Sequence, residues 1–389
     1  MRRPERGQRP LASPVNTLQR CPEFVGRTMN WLYDHLRFLP RYTPTVLCDT
    51  LMNRGEFPEL DARAIYPRSI GSRIWSRLGG TRLYPPDRIR IKRSAPRVLH
   101  SHFGDLAAGD IQLAQALGVP WVASFYGADV YQLGRRDEWR EPYAALFRSV
   151  TKVLALGPAM AATLEKLGCP RPKIRIHPLG VDVDELPSAP RKLRTGEPLR
   201  LLFAGTFREK KGIEYVVEGA ARARRSGVRL ELQLVGNPLG KARDRETEEG
   251  VSRLIGQLGI GDVVSRHAFL PFTELIERAM RAHVFVAPSV TAADGDAEGT
   301  PFVLQQMMAT GMPVIATEHS DIPFLLGDLS PMLVPERDAG AIADRIQRFW
   351  KDPEALVTEG ALVRRRMREH FDIRQCAERL AQVYDEILN

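Results

Sequence analysis

The sequence predicts an α/β protein made of two tandem, doubly wound, parallel-sheet domains with a cleft between them. Three observations carry that expectation. From Arg97 onward, short apolar runs alternate with helix-spaced segments of ten or more residues, the rhythm of a parallel sheet covered by helices on both faces. The rhythm breaks at ELPSAPRKLRTGEPL, residues 185–199, which is rich in proline and charge, and then restarts. A chain of 389 residues also exceeds what one hydrophobic core usually serves.

Taken in order, EFVGRTMNWLYDHLRFL (Glu23–Leu39) has helix-spaced apolar residues, and TPTVLC after it reads as a short strand. The basic stretch Arg68–Arg93 has no clear period and reads as loop and short helix. RVLHSHF is a strand, LAAGDIQLAQALG a helix, PWVASF a strand, and TKVLALG a strand leading into a helix near Ala159. KIRIHPLG closes the first half. After the break come LRLLFAG (strand), KGIEYVVEGAARARRSG (helix), RLELQLVG (strand) and a polar helix to about Leu258. DVVSRHAF, HVFVAPS and PVIAT are the remaining strands, with helices between them. The expected organisation is a first domain over 1–184, a linker over 185–199, a second domain over 200–372 and a last helix over 373–389.

Composition narrows the class. Apolar residues make up 43% and charged residues 26%, values of a soluble globular protein. No run approaches the ~20 apolar residues of a membrane helix, and the first twenty residues are basic without the apolar stretch of a secretion signal. Cys21, Cys48, Cys169 and Cys376 are scattered, with no zinc or disulfide spacing, so the expectation is a reducing cytoplasm. Residues 1–190 hold 28 basic and 18 acidic side chains, about +10, whereas the remainder holds 28 and 29, about −1. A basic first half suits anionic lipid headgroups, phosphorylated acceptors or nucleic acid, or simply a solvated surface. There is no GxGxxG with a following acid, no Walker sequence, and no helix-turn-helix or zinc-finger signature, which argues against a dehydrogenase, a P-loop enzyme and a nucleic-acid partner.

The most informative run is EGTPFVLQQMMATGMPVIAT, Glu298–Thr317. Pro301 suits a helix start, whose unpaired amides seat a phosphate. Glu298 stands just before it, and Gln306 lies two turns on. FAGTFREKKG (Phe203–Gly212) is a strand, a tight turn and a helix start carrying Arg208, Lys210 and Lys211. Cations there are unfavourable to the helix dipole, which favours a ligand reason over a solvated cluster. DGDAEG (Asp294–Gly299) lacks the spacing and terminal acid of a calcium-binding hand.

These segments resemble the donor site of the family-4 retaining glycosyltransferases, in which a Glu, seven residues and a second Glu precede a small residue, Gly and Pro-Val. Glu298 matches the first acid, and Gln306 replaces the second, keeping an acceptor and losing the charge. The family has an Arg directly after the first glycine of the phosphate turn and a Lys before the second. Lys211 matches that Lys, Thr206 stands at the Arg position after Gly205, and Arg208 follows two residues later. LVGNPLG, with Gly236 and Asn237, and HAFLPFTEL, with Phe269 and Leu270, resemble segments near the nucleotide. SFYGADVY resembles the HG-x-D element with Tyr126 in place of His, then Gly127 and Asp129. His102, in HSHFGDLAAG, is the residue expected to take part of the missing His role. HPLGVD (His177–Asp182) resembles the NG-x-D element.

The resemblance implies the GT-B fold, with the acceptor in the first domain and the donor in the second, and a last helix packing back on the first. It implies transfer of a sugar from a nucleotide-diphosphate sugar to a hydroxyl of a glycan or lipid-linked acceptor, retaining configuration, with no metal or other cofactor. Glu298, Lys211, Asp129, Tyr126 and His102 are the expected catalytic group. Arg208, Gly205, Thr206, Gly236, Asn237, Phe269, Leu270, Gly299, Thr300, Pro301, Phe302 and Gln306 are the expected donor contacts. The location implied is cytoplasmic, with peripheral contact to an anionic membrane through the basic half. The rival reading is a non-catalytic binding or scaffold protein on the same fold, because Thr206, Gln306 and Tyr126 all depart from pattern.

Overall fold

The computed structural model describes residues 15–26, 31–53, 65–67, 71, 85–240 and 242–389. Among these, seven strands form one parallel sheet: β1 (Val15–Phe24), β2 (Tyr42–Leu51), β3 (Ile65–Pro67), β4 (Val98–His102), β5 (Trp121–Ser124), β6 (Lys152–Ala155) and β7 (Ile174–Ile176). Their order is 3-2-1-4-5-6-7. Five more form a second parallel sheet: β8 (Leu199–Ala204), β9 (Leu230–Val235), β10 (Val264–His267), β11 (Val284–Ala287) and β12 (Val314–Ala316), in the order 10-9-8-11-12. In both sheets the winding reverses beside the first strand, between β1 and β4 and between β8 and β11. Ligands in such sheets sit beyond the carboxyl ends of strands at that reversal.

The central strands are apolar on both faces, as parallel sheets covered by helices require. Leu201, Leu202, Val284 and Val286 are fully buried, as are Leu99, Val122 and Val153. The helix Ile213–Arg225 buries Ile213, Val216, Val217 and Ala220 at helical spacing. It packs so closely on the helix Ala339–Lys351 that a Cβ at Gly219 would lie 2.6 Å from Ile342 Cγ2.

The early region departs from its reading. Glu23 and Phe24 close β1 rather than opening a helix, and among the described residues the helix covers Trp31–Arg37. Within Arg68–Arg93, the described part from Pro85 is a helix, Pro85–Ser94, and most of the rest lies outside the described residues. The helix expected after β4 is broken at Asp110 into Gly104–Gly109 and Ile111–Leu117.

The last helix, Ile373–Leu388, lies on the first sheet. Leu380, Ala381, Val383 and Tyr384 pack with Leu39, Tyr42, Val98, Val122 and Leu154. Arg41 pairs with Glu378 and Asp385 at 2.9 and 3.0 Å. The chain crosses back at Gly180–Val181, where Val181 N–H donates to Phe371 O and Ile373 N–H donates to Val181 O, both at 2.9 Å. A Cβ at Gly180 would sit 2.8 Å from Ile373 Cα, so glycine permits the crossing.

Candidate active site in the interdomain cleft

The phosphate-turn candidate begins where β8 ends. Gly205 and Gly236, at the ends of β8 and β9, meet so closely that a Cβ on Gly236 (φ +143) would fall 1.8 Å from Gly205 O. Phe207 N–H donates to Asn237 O at 3.0 Å, locking the two turns together. Thr206 is half-buried in the same turn. Gly236 N–H also donates to His267 O at 2.9 Å, which brings β10 and the half-buried Phe269 and Leu270 alongside. The turn then tightens over Glu209–Lys211 and closes at Gly212, whose φ of +61 and 1.9 Å approach of a Cβ to Pro288 O admit no side chain.

That turn delivers three cations to three acids. Lys211 Nζ lies 3.0 Å from Glu298 Oε1, and Lys210 Nζ lies 3.4 Å from the same oxygen. Lys210 also reaches Asp296 Oδ1 at 3.2 Å and the carbonyl of Ala297 at 3.3 Å. Arg208 pairs with Asp296 at 2.6 Å and lies 3.8 Å from Asp244. Burial raises the Glu298 pKa, but the Lys210 and Lys211 ammonium groups outweigh it, holding the carboxyl well below the usual range. Glu298 is therefore a buried, ionised acid.

Immediately after Glu298 the chain runs through Gly299 and Thr300 into the helix Phe302–Ala309. Pro301 occupies the capping position rather than the first helical one, and no side chain caps the helix. The Thr300 hydroxyl is buried without a partner among the described residues. Phe302 packs against the cores of both domains. Gln306 is half-buried on that helix.

The first domain supplies the opposite wall. A Cβ on Gly127 would lie 3.1 Å from Ala297 O, and one on Gly299 would lie 3.4 Å from Tyr126 O and 2.6 Å from Leu156 Cδ1. The Tyr126–Gly127 turn and the Ala297–Gly299 segment thus pack directly against each other at the boundary between the domains, beside Glu298 and Lys211. The polar groups of the first-domain candidates turn inward, not toward that boundary. The Asp129 carboxylate accepts from the amides of Gly104, Tyr126 and Gly127 at 2.8–3.2 Å. Burial, partly offset by those amides, raises its pKa to about 6. The Tyr126 hydroxyl donates to His102 Nδ1 at 2.6 Å, and His102 Nε2–H donates to Gln19 Oε1 at 3.0 Å. Burial pushes His102 down to about 3, so its ring is neutral. The Tyr126 ring is tilted against Trp31 and Phe103 of the first domain, with centroids 4.5 and 4.8 Å away, and it is the Tyr126 carbonyl that lies nearest Gly299.

Residues outside the expected set complete the site. Glu298 N–H donates to His319 Nε2 at 2.9 Å, and His319 Nδ1–H donates to Glu336 Oε1 at 2.6 Å. Two residues on, Asp321 accepts from the amides of Ala159 and Met160 at 2.7 and 3.1 Å, so a second-domain acid caps the first-domain helix Pro158–Lys166. Tyr131 and Ser320 hydroxyls meet at 2.8 Å beside it. The available signal was position: the TEHSD run follows the apolar strand PVIA, and the carboxyl ends of such strands are where ligands bind. Among the described residues no cluster of three or more His, Cys, Asp or Glu side chains is arranged to hold a metal ion. No described helix is long and apolar enough to cross a membrane.

Two parallel-sheet lobes whose ligand-facing strand ends oppose each other across a crevice define the GT-B class. The chain belongs to the glycosyltransferases of group 1 and family 4: residues 187–366 match the model of "Glycosyl transferases group 1" and residues 32–185 that of "Glycosyltransferase Family 4". A glycosyltransferase of Escherichia coli K12 assigned to colanic acid biosynthesis, WcaL, is 35% identical over 256 residues, which span 65% of this chain and 61% of that one. Its Salmonella typhimurium counterpart is 30% identical over 295 residues, 75% of this chain and 70% of the relative. The fold is also that of Anabaena HepE solved with UDP, at a TM-score of 0.73 and 13% identity, covering 96% of this chain and all of that one.

Proposed function

We propose that the protein is a retaining glycosyltransferase that moves a sugar from a nucleotide-diphosphate donor to a hydroxyl of a glycan or lipid-linked acceptor during surface polysaccharide assembly. The observation that carries the reading is the pair of half-buried Lys211 and buried Glu298 beside an uncapped helix start, against which the Tyr126–Gly127 turn of the first domain packs. The relatives assigned to colanic acid biosynthesis and the neighbour solved with UDP and with UDP-glucose support it.

In this reading Lys211 and the amides of Gly299 and Thr300 take up charge on the leaving diphosphate, the group that gains most negative charge in the transition state. Arg208 contributes at longer range, because Asp296 and Asp244 already oppose it. Glu298 accepts hydrogen bonds from donor-sugar hydroxyls, and Gln306 from the ribose. The acceptor oxygen attacks the anomeric carbon on the face the diphosphate leaves, and its proton passes to a diphosphate oxygen. No side chain forms a covalent bond, and no metal is required. The first domain contributes the Tyr126–Gly127 backbone as the wall, while Asp129 and His102 hold that wall in shape. Enclosure excludes water, whose attack would hydrolyse the donor. A cytoplasmic site at the inner face of the cell membrane, reached through the basic first half, belongs to the same reading.

The test is nucleotide release on incubation with a panel of UDP-, GDP-, ADP- and dTDP-sugars. Turnover with one of them supports the transferase. Saturable binding without release of nucleotide from any member would assign the scaffold role instead.

A further inference from the structure

We propose that His319 is a positioning residue for Glu298, and that Glu336 fixes the ring in the one tautomer that can do this. The proposal rests on the transferase reading above.

The segment carrying Glu298 has no regular structure from Pro288 to Pro301 and contains two glycines, Gly295 at φ +83 and Gly299. Such a segment takes its position from individual anchors. Two lie next to Glu298: the Lys210 ammonium on the Ala297 carbonyl at 3.3 Å, and His319 on the Glu298 amide at 2.9 Å. The second is directional. An amide N–H only donates, so His319 Nε2 carries a lone pair and the ring proton sits on Nδ1. Glu336 receives that proton at 2.6 Å, and its other oxygen is held by the Thr291 amide at 2.9 Å. His319 is 1% exposed, so no solvent competes for either nitrogen. Thr291 lies in the same irregular segment, which the Glu336–His319 pair therefore grips at both ends.

Losing the ring would leave a buried amide unpaired and free the backbone beneath Glu298. A displacement of about 1 Å at a reacting centre costs on the order of 10²-fold in rate. The phosphate-facing groups, Lys211 and the Gly299 and Thr300 amides, are not bonded to His319, so nucleotide binding should survive. A purely structural histidine would not separate the two.

The experiment measures two quantities for folded variants: the rate of nucleotide release from the best donor in the panel, and the inhibition constant of the nucleoside diphosphate released. His319→Ala should lower kcat by roughly 10²-fold while the inhibition constant stays within about twofold. His319→Gln, whose side-chain oxygen can reach the Nε2 position and accept from the amide, should recover the rate to within about tenfold of wild type. Glu336→Leu, at a partly exposed position, should lower kcat by about tenfold and decides the matter if the alanine variant does not fold. The proposal is overturned by an unchanged kcat in His319→Ala, by parallel loss of rate and nucleotide affinity, or by failure of glutamine to outperform alanine. A wild type that releases no nucleotide overturns the transferase reading and this one with it; turnover by wild type with unaffected variants overturns this one alone.

Discussion

Lys211 has one ion-pair partner among the described residues, Glu298, whereas Arg208 and Lys210 are each opposed by two acids. It is thus the cation with most attraction to spare for a diphosphate. Lys211→Ala should reduce nucleotide release by roughly 10²-fold, the scale of one lost transition-state contact, and a rate close to wild type would remove it from the site. Gln306 tests the other end of the donor. Gln306→Glu restores the acid of the family pattern on the same half-buried helix face, so titration calorimetry with the released nucleoside diphosphate should show equal or tighter binding. Weaker binding would take the ribose away from this residue. Glu298, Lys211 and the helix start were legible because each lies in a contiguous run with a mechanical reason for its residue types. His319 was not, because its partners Glu298 and Glu336 are separated from it by 21 and 17 positions and nothing local marks the pairing. Asp129 and Tyr126 were found as motif positions, but which way their polar groups turn depends on Gly104 and His102, on another strand's end.

At the scale of elements, ten-residue β1 shows where pattern reading stops. VNTLQRCPEF is neither alternating nor continuously apolar, yet Thr17, Gln19 and Arg20 are buried in it. Gln19 and Arg20 are tolerated because each has a distant polar partner, Gln19 donating to Tyr384 at 3.2 Å and Arg20 pairing with Asp49 at 2.8 Å, while the Thr17 hydroxyl accepts from Gln19 Nε2 at 2.8 Å. The strands from β4 onward were legible since their burial is apolar and needs no partner. The same polar layer has a consequence for pH. Burial lowers His35 to about 4, and lowers His102 and His177 to about 3, against an ordinary value of 6.5. Below about pH 6.5 the unfolded chain takes up protons that the folded one refuses, so stability falls as pH falls, by at most about 1.4 kcal/mol per unit and per group. Asp129, raised to about 6, acts oppositely because the folded state holds its proton longer, and offsets one of the three. The apparent Tm should therefore change little from pH 7.5 to about 7 and drop from about pH 6.5 to 5. A flat or rising profile would mean that these rings are hydrated.

At the scale of the whole molecule, Asp321 is a committed link between the two lobes. It is fully buried, and a Cβ on Gly157 would lie 2.4 Å from its carboxylate, so the first domain is shaped around it. Burial, partly offset by the two amides it accepts from, raises its pKa. Asp321→Ala leaves the start of Pro158–Lys166 uncapped at a domain boundary, where separation can expose it to water. Small-angle scattering should report a larger radius of gyration, with transfer slowed and donor hydrolysis becoming a larger share of turnover. An unchanged scattering profile would show that Phe302 and the other contacts suffice. The two-domain plan was readable from the periodicity, its break at residues 185–199 and the chain length, but the lobes' mutual grip was not, since it includes Asp321, Ser320 and Gln132 meeting residues over 160 positions away. The return of Ile373–Leu388 to the first sheet adds a matter of timing. A ribosome delivers β1 through β7 long before Tyr384, the side chain that closes their floor, has been translated. The front lobe must therefore wait, partly uncovered, while the rear lobe forms, and holding factors that shield nascent apolar surface would act on the front lobe during that interval.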